Sequence, residues 1–245
     1  YGGTFNLFDV TLRKLGIETT FVDTDISEDE LQSLVRDNTR LIFGETLTNP
    51  SLVVLDIDKF ARVAHANKIP LIVDNTFPTP ILCRPFEFGA DIVIHSTSKY
   101  LDGHAVALGG VIVDSGKFDW EASGKFPELT TPDESYHGVI YTESFGEAAY
   151  ITKVRCQLIR DFGVAMAPLS AFLLNTGLET LHLRMERHSE NALKVATFLE
   201  GNDMISWVNY PKLKSSPDFE LAEKYLPKGA CGVISFGLKG TKEDA

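Results

Sequence analysis

The chain has 245 residues, of which 44% are hydrophobic and 23% are charged, a composition typical of a globular domain with a sizeable core. Its net charge of −11 argues against nucleic acid as a partner, because phosphate binding needs a basic surface. The same charge argues weakly against anionic membrane surfaces. No apolar run reaches the length of about 18 residues expected of a membrane span, and no signal peptide is visible.

The cysteines and the chain ends give two further expectations. Cys83, Cys156 and Cys231 are scattered and lack the spacing of metal ligands, so we expect reduced thiols in a cytoplasmic protein and no metal site. The sequence begins at Tyr1 without an initiator methionine and stops at Ala245, just after an apolar run. We therefore expect a fragment, or the ordered part of a longer protein.

The first half of the chain alternates between helical and extended patterns. Apolar residues at helical spacing predict helices over 4–15, 27–35 and 56–67, and Ser27 with Glu30 forms a capping box at the start of the second. Short apolar runs predict strands, which cover residues 19–22, 40–45, 70–73, 91–94 and 111–113. Continuously apolar strands that alternate with helices are typical of a parallel α/β sheet.

The second half predicts fewer and longer elements. Residues 115–140 are rich in Pro, Gly, Ser and Thr and predict a loop. The remaining predicted elements are a mostly helical segment over 145–175, a long helix over 178–200 and two strands over 205–210 and 232–238. We therefore predict a large domain over 1–187, with its N-terminal part absent, and the start of a small, truncated domain over 188–245.

Polar side chains follow three of the predicted strands. Glu45, Asp74 and Ser96 each stand at or just after the carboxyl end of an apolar run. In open α/β sheets the ligand lies beyond these ends. The sequence therefore predicts a ligand site at this edge of the sheet.

Lys99 lies in this predicted site, in the segment Ser96-Thr97-Ser98-Lys99. A lysine amine at the mouth of a sheet is suited to forming a Schiff base with a carbonyl cofactor. The hydroxyls of Ser96 and Ser98 are suited to binding a phosphate group. The alternative interpretation is a solvated surface lysine at a strand end.

Asp74 ends the preceding strand and strengthens the cofactor interpretation. A buried carboxylate is costly unless it meets a positive partner, and a protonated pyridinium nitrogen is such a partner. The alternatives are a helix cap or a metal ligand. Phe77, Pro78 and Pro80 do not start an obvious helix, and further metal ligands at suitable spacing are lacking.

Two other segments contribute candidates. Asn49 precedes Pro50 and is either a turn former or an amide donor to a ring hydroxyl oxygen of the cofactor. Tyr1 precedes two glycines, which allow a ligand to approach the backbone closely. Its ring is either part of the scaffold or stacked on a flat cofactor.

Four motifs occur in order along the chain: Tyr1-Gly2-Gly3-Thr4, Glu45-Thr46 with Asn49-Pro50, Val73-Asp74-Asn75-Thr76-Phe77 and His95-Ser96-Thr97-Ser98-Lys99-Tyr100. With them the chain resembles the Cys/Met-metabolism family of pyridoxal-phosphate (PLP) enzymes over nearly its whole length. Within that family the O-acetylhomoserine sulfhydrylases are the most similar, on scaffold segments such as 109–116, 184–191 and 207–211.

The resemblance implies a fold and an assembly. The fold is the PLP-dependent aminotransferase-like fold of type I, an α/β fold with a parallel-rich central sheet and part of a small C-terminal α+β domain. The implied assembly is a homotetramer in which neighbouring subunits share active sites. The implied cofactor is pyridoxal 5′-phosphate.

The resemblance also implies roles at the two ends of the cofactor. Lys99 is the Schiff-base lysine and, once freed, the base that removes the α proton of the substrate. Asp74 pairs with the pyridinium nitrogen. Ser96 and Ser98 contact the phosphate.

Four more side chains are implied to surround the ring. Tyr1 stacks on it and acts as a base or an acid toward the substrate. Asn49 lies near the ring hydroxyl, and Glu45 and Thr76 also line the ring.

The implied reaction replaces the γ-substituent of O-acetylhomoserine by sulfide or a thiol, which gives homocysteine and acetate in methionine and cysteine biosynthesis. A γ-elimination lyase, of the methionine or cystathionine type, is an alternative, because the shared residues do not separate the two reactions. A non-catalytic scaffold or fragment is an alternative of another class.

The sequence departs from the family pattern in places. Asp102, Ala105 and Cys231 stand where glycine is common in the family. A glycine-containing phosphate loop, a tyrosine and an arginine from a neighbouring subunit, and an arginine that binds the substrate carboxylate belong to the family but lie outside residues 1–245.

Overall fold

The computed structural model describes residues 1–240, which form two β-sheets and a set of mostly short helices. The α-helices are α1 (Gly2–Asn6), α2 (Glu28–Leu34), α3 (Ile57–Ala66), α4 (Thr79–Leu82), α5 (Trp120–Ser123), α6 (Pro127–Thr130), α7 (Tyr141–Phe145), α8 (Ala149–Lys153), α9 (Arg160–Phe162), α10 (Pro168–Leu178), α11 (Leu181–Glu200) and α12 (Phe219–Tyr225). Wider π-helical turns cover Leu7–Leu12, Thr97–Leu101 and Val154–Ile159. Tighter 3-10 turns cover Arg13–Leu15, Pro85–Phe88, Glu134–Tyr136 and Gly146–Ala148.

The larger sheet has the order β1-β2-β3-β4. Its strands are β1 (Ile42–Glu45), β2 (Leu71–Asp74), β3 (Ile92–Ser96) and β4 (Gly110–Asp114). The first three are parallel, and β4 is antiparallel to β3. A second, antiparallel sheet joins β5 (Ile205–Asn209) and β6 (Ser235–Leu238). This mixed, mostly parallel α/β sheet confirms the predicted fold class.

The register of the sheet aligns the polar strand ends. Glu45 of β1 pairs with Asp74 of β2, and Asp74 pairs with Ile94 of β3. Since paired residues on neighbouring strands point to the same face, Glu45 and Asp74 lie side by side. The predicted convergence of polar groups at the carboxyl edge is therefore present.

Two hydrophobic clusters cover the faces of this sheet. Val73 and Val93 pack into the larger cluster, whereas Ile92, with Ile72 and Ile94 against it, packs into the smaller one. Because side chains alternate along a strand, Asp74 and Ser96 point to the face of the smaller cluster. Strands β2 and β3 are thus covered on both faces, as continuously apolar strands require, whereas β4 at the edge of the sheet is mostly exposed.

Side-chain caps begin two helices in the first half of the chain, one of them predicted. Ser27 Oγ accepts a 3.2 Å hydrogen bond from Glu30 N at the start of α2, which confirms this half of the capping box. Asp56 caps α3 by accepting from Lys59 N at 3.4 Å. Ile57 and Phe60 of α3 are buried against the sheet, as the apolar stripe predicts.

Three predictions of secondary structure are wrong. Residues 19–22 are not a strand, because no neighbouring strand within residues 1–240 pairs with them. Residues 115–140 are not all loop: they contain α5, α6 and a 3-10 turn, and Asp119 caps α5 by accepting from Ala122 N at 2.9 Å. A helix also follows Asp74, since α4 begins at Thr79 next to Pro78 and Pro80.

The second half follows the prediction more loosely. The helix predicted over 178–200 is present as α11, which starts three residues later, at Leu181, after α10 ends at Leu178. The predicted domain boundary falls inside α11 and stays a prediction. None of the helices within residues 1–240 is long and apolar enough to cross a bilayer.

Candidate active site

Asp74 is fixed by Thr76, two residues further along the chain. Asp74 Oδ1 accepts hydrogen bonds from Thr76 N at 2.9 Å and from Thr76 Oγ1 at 2.5 Å. The Thr76 hydroxyl in turn accepts from Ser96 N at 2.8 Å. The end of β2 and the end of β3 are therefore joined through one threonine hydroxyl.

The second carboxylate oxygen of Asp74, Oδ2, differs from Oδ1 in its hydrogen bonding. The hydrogen bonds that Asp74 side-chain oxygens accept within residues 1–240 all fall on Oδ1. Oδ2 is thus free to accept a donor from a ligand. A carboxylate with one oxygen held and the other open has a defined direction for a single further hydrogen bond.

The Glu45 side chain contacts two other candidate site residues, Tyr1 and Asn49. The amino nitrogen of Tyr1 lies 2.6 Å from Glu45 Oε1, and Asn49 N donates to Glu45 Oε2 at 3.3 Å. The Glu45 side chain is only 13% exposed, whereas Tyr1 is 60% exposed. The Tyr1 ring therefore presents a large open face near the carboxyl edge of the sheet.

Asn49 also belongs to a tight turn. Leu52 N donates to Thr48 O at 2.9 Å, and Val53 N donates to Thr48 Oγ1 at 2.9 Å. The interpretation of Asn49-Pro50 as a turn is therefore confirmed. A role of the Asn49 amide toward a ligand stays a prediction.

The Asp74 carboxylate has no ion-pair partner within residues 1–240, whereas Glu45 next to it is paired with the amino nitrogen of Tyr1. His95 lies near Asp74 but does not neutralise it, because burial lowers the pKa of His95 although the Asp74 carboxylate opposes that shift. His95 is 6% exposed, and its Nδ1 has no hydrogen-bond partner within residues 1–240. Neighbouring carboxylates favour a cation beside them, so this edge of the sheet suits a protonated ring nitrogen.

Ser96 and Ser98 differ in what their hydroxyls do. The Ser98 hydroxyl donates to Gly109 O at 3.3 Å and accepts from Gly109 N at 2.9 Å. Thr97 N also donates to Gly109 O, at 3.0 Å. Ser98 thus ties the segment after β3 to the start of β4, and the Ser96 hydroxyl is the freer of the two to bind a phosphate.

Lys99 stands in the π-helical turn Thr97–Leu101, where its backbone leaves helical geometry at φ −100° and ψ −127°. Its side chain is exposed. Within the described part of the chain its amine makes no hydrogen bond or ion pair with a side chain. An exposed, uncommitted amine three residues beyond Ser96 is available to a ligand at the carboxyl edge of the sheet.

The structure therefore brings the candidates together in two groups. Asp74, Thr76 and Ser96 form one hydrogen-bonded chain, and Tyr1 and Asn49 meet at Glu45. The register between Glu45 and Asp74 joins the groups. Lys99 follows Ser96 of the first group by three residues, and no side-chain contact within residues 1–240 links it to either group.

Sequence reasoning missed the residues that hold the Lys99 segment from behind. Gly109 bonds Ser98, and Arg184 of α11 donates to Tyr100 O at 2.8 Å. In the sequence, Arg184 belongs to the scaffold segment 184–191, and no pattern there predicts a contact with the site. Nothing in local spacing indicates a contact across 84 residues.

Comparison with known proteins decides the family. The sequence pattern described as "Cys/Met metabolism PLP-dependent enzyme" matches residues 1–245. The chain belongs to this family. The resemblance drawn from the four ordered motifs is thereby confirmed, and with it PLP as the cofactor of the family.

Individual relatives point to one branch. The chain is 49% identical to a homocysteine/cysteine synthase of Kluyveromyces lactis, covering 98% of this chain and 54% of that protein. It is 50% identical to a homocysteine synthase of Schizosaccharomyces pombe, over 98% and 56%. It is 46% identical to an O-acetyl-L-homoserine sulfhydrylase of Leptospira meyeri, over 100% and 57%. The chain spans about half the length of these curated relatives.

A solved structure shares the fold. It is described as an O-acetylhomoserine (thiol)-lyase of Campylobacter jejuni and contains a pyridoxyl-lysine monophosphate. The TM-score is 0.93 at 40% identity, and the match covers 98% of this chain and 60% of that one. The type I fold predicted for the chain is therefore confirmed.

Proposed function

We propose that this chain forms the cofactor-binding part of an enzyme that replaces the γ-substituent of O-acetylhomoserine by sulfide, giving homocysteine and acetate. The observation that carries the proposal is the chain of hydrogen bonds from Ser96 through Thr76 to Asp74, with Lys99 just beyond it. The relatives described as homocysteine synthases and sulfhydrylases support the choice of substrate.

The residues present fit PLP at this site. Asp74 Oδ2 would accept a hydrogen bond from the protonated ring nitrogen, and the bonds from Thr76 hold the carboxylate in that orientation. Lys99 Nζ binds the cofactor covalently, and the Ser96 hydroxyl donates to its phosphate. The Tyr1 ring packs on the flat face of the cofactor, next to Glu45 and Asn49.

When bound, the cofactor withdraws electrons from the substrate carbons next to it. Asp74 sustains this withdrawal because its negative charge keeps the ring nitrogen protonated. Lys99 Nζ would hold the cofactor and, as a free amine, would accept the proton from the substrate α carbon and later return it. The Tyr1 hydroxyl exchanges a proton with the substrate from the exposed side of the site.

We further propose that a neighbouring subunit completes the site, in a homotetramer with shared active sites. Groups that bind part of the phosphate and the substrate carboxylate come from residues outside 1–245. The division into a large domain over 1–187 and a small domain from 188 belongs to the same proposal. The unpaired thiols of Cys83, Cys156 and Cys231 support a cytoplasmic location.

A substrate comparison tests the reaction. The intact enzyme is given O-acetylhomoserine with sulfide, and in a separate reaction methionine alone. We expect homocysteine and acetate from the first, with little ammonia or 2-oxo acid from either. Ammonia and a 2-oxo acid as the main products would instead assign γ-elimination, and the absence of turnover together with the absence of bound cofactor would indicate a scaffold.

A further inference from the structure

Arg184 of α11 extends to the segment that carries Lys99. Its Nη1 donates to Tyr100 O at 2.8 Å, and its Nη2 lies 3.5 Å from Leu101 O. These carbonyls belong to the two residues that directly follow Lys99. One guanidinium therefore bonds the backbone on the C-terminal side of the candidate Schiff-base lysine.

The same guanidinium is anchored at the junction of α10 and α11. Nη2 donates to Gly177 O at 2.7 Å, and Nε donates to Thr180 Oγ1 at 3.1 Å. Within residues 1–240, every hydrogen bond of the Arg184 side chain goes to a backbone carbonyl or to this hydroxyl. Arg184 thus fastens the Lys99 segment to the helix pair behind it.

The charge of Arg184 is balanced from a distance. Burial lowers the pKa of Arg184, and the carboxylate of Asp102 opposes that shift. Asp102 is only 1% exposed and accepts from Val106 N at 3.1 Å. The half-buried guanidinium bonds backbone carbonyls rather than a carboxylate. It therefore fixes the position of the backbone more than it neutralises a charge.

The surroundings leave little room for this segment to move. A side chain at Gly177 would overlap Asp102 O, and a side chain at Gly103 would overlap the Arg184 guanidinium. Gly103 N donates to Lys99 O at 2.8 Å. The backbone from Lys99 to Gly103 is therefore held by its own hydrogen bonds on one side and by α10 and Arg184 on the other.

We propose that Arg184 is a positioning residue for Lys99, whose amine it keeps in line with the substrate by fixing the backbone at Tyr100 and Leu101. The proposal rests on the proposed function of Lys99 as the residue that carries the cofactor and moves the α proton. Arg184 touches neither cofactor nor substrate. Its effect reaches the reaction only through the backbone that carries Lys99.

Arginine suits this task better than lysine. Its planar fork holds several donors in fixed directions, whereas a lysine amine is a single point charge on a flexible stem. Arg184→Lys therefore keeps the positive charge near Asp102 and loses the simultaneous bonds to Tyr100 and Gly177. Arg187→Lys is the matched control, because Arg187 lies on the same helix, is 69% exposed and, within residues 1–240, pairs only with Glu190 at 3.1 Å.

The experiment measures exchange of the substrate α proton with solvent deuterium, per bound cofactor, in the intact holoenzyme. We expect Arg184→Lys to slow this exchange by about 10- to 100-fold, as misplacement of a reacting group does, with KM for O-acetylhomoserine little changed. We expect Arg187→Lys to exchange the α proton at the same rate as the unaltered enzyme. A purely structural role predicts reduced thermal stability or cofactor content but normal exchange per bound cofactor, and that result would overturn the proposal.

Two further results separate the possible failures. If Arg184→Lys does not fold, Thr180→Val removes one anchor only, and we expect it to slow exchange in the same direction by a few-fold. Unchanged exchange in Thr180→Val would then contradict the proposal. Failure of the unaltered enzyme to bind cofactor at Lys99 would overturn the proposed function itself, and the role of Arg184 with it.

Discussion

The hydroxyl of Thr76 donates a 2.5 Å hydrogen bond to Oδ1 of Asp74. The same hydroxyl accepts from Ser96 N at 2.8 Å, so both its donor and one acceptor position are in use. Thr76 therefore acts on a bound cofactor through Asp74, by orienting the carboxylate, and also fixes the start of the segment that leads to Lys99. A single side chain therefore joins Asp74 to the backbone of Ser96, the two residues that we propose bind the ring nitrogen and the phosphate of the cofactor.

Replacement of Thr76 tests this coupling. Thr76→Val removes the bond to Asp74 Oδ1 and leaves Ser96 N without its acceptor, at a cost of about 1–2 kcal/mol. We expect the dissociation constant of PLP to rise about 10-fold, since about 1.4 kcal/mol is tenfold in affinity. Titration of the cofactor-free enzyme with PLP measures this dissociation constant. Thr76→Ser keeps the hydroxyl and serves as the control, and equal weakening in both variants would exclude the hydroxyl as the cause.

Ala105 is strained by its backbone. Its φ is +55°, in the left-handed region that favours glycine. Relief of left-handed strain is worth about 1–2 kcal/mol, and the greater freedom of glycine in the unfolded chain costs about 0.4–1 kcal/mol. We therefore expect Ala105→Gly to raise the free energy of unfolding by about 0.5–1 kcal/mol.

Chemical denaturation measures this change. Ala107→Gly is the control, because Ala107 lies in the same loop without a positive φ, and it should lower stability slightly. A loss of stability in Ala105→Gly equal to that in Ala107→Gly would show that position 105 is not strained.

His95 makes stability depend on pH. Burial lowers its pKa, so at pH below its unfolded value of about 6.5 the unfolded chain binds a proton that the folded chain does not. Stability contributed by neutral His95 is therefore complete above that value and is lost as the pH falls. The slope is at most about 1.4 kcal/mol per pH unit.

The measurement compares unfolding free energies at pH 7 and pH 5. We expect His95→Gln to reduce the acid-induced loss of stability relative to His182→Gln, which alters an exposed histidine on α11. The same pH dependence in both variants would mean that other groups account for it.

Gly177 allows α10 to approach the Lys99 segment. A Cβ at this position would overlap Asp102 O and lie 3.0 Å from Leu101 O. We expect Gly177→Ala to lower the free energy of unfolding by about 1–3 kcal/mol through overpacking, whereas Gly201→Ala, whose Cβ would have ordinary contacts at 3.8 Å, changes it little. Denaturant titration of both variants gives the comparison. Equal stabilities would show that the contact relaxes without cost.

Local pattern was enough to predict much of the site. Glu45, Asp74 and Ser96 were placed at one edge because each follows an apolar run that alternates with helices. The parallel register of β1 and β2 places Glu45 beside Asp74, as expected for strands that run in the same direction. Cofactor chemistry followed from the residue types of Asp74 and Lys99 in that arrangement.

The errors arise where distant residues decide the outcome. Residues 19–22 have an apolar pattern but pair with no strand within residues 1–240, so they do not form a strand. That Thr76 lines the ring stays a prediction, and the local pattern does not indicate that its hydroxyl bonds both Asp74 and Ser96 N. The bond from Arg184 to Tyr100 spans 84 residues, and only the packing of α10 and α11 creates it.

Covalent labelling of the cofactor lysine tests the central claim most directly. The intact holoenzyme is reduced with borohydride, digested and analysed by peptide mass. We expect the pyridoxyl-phosphate mass on the peptide that contains Lys99, and its loss in Lys99→Ala. Labelling of a different lysine, or labelling that persists in Lys99→Ala, would contradict the assignment of Lys99.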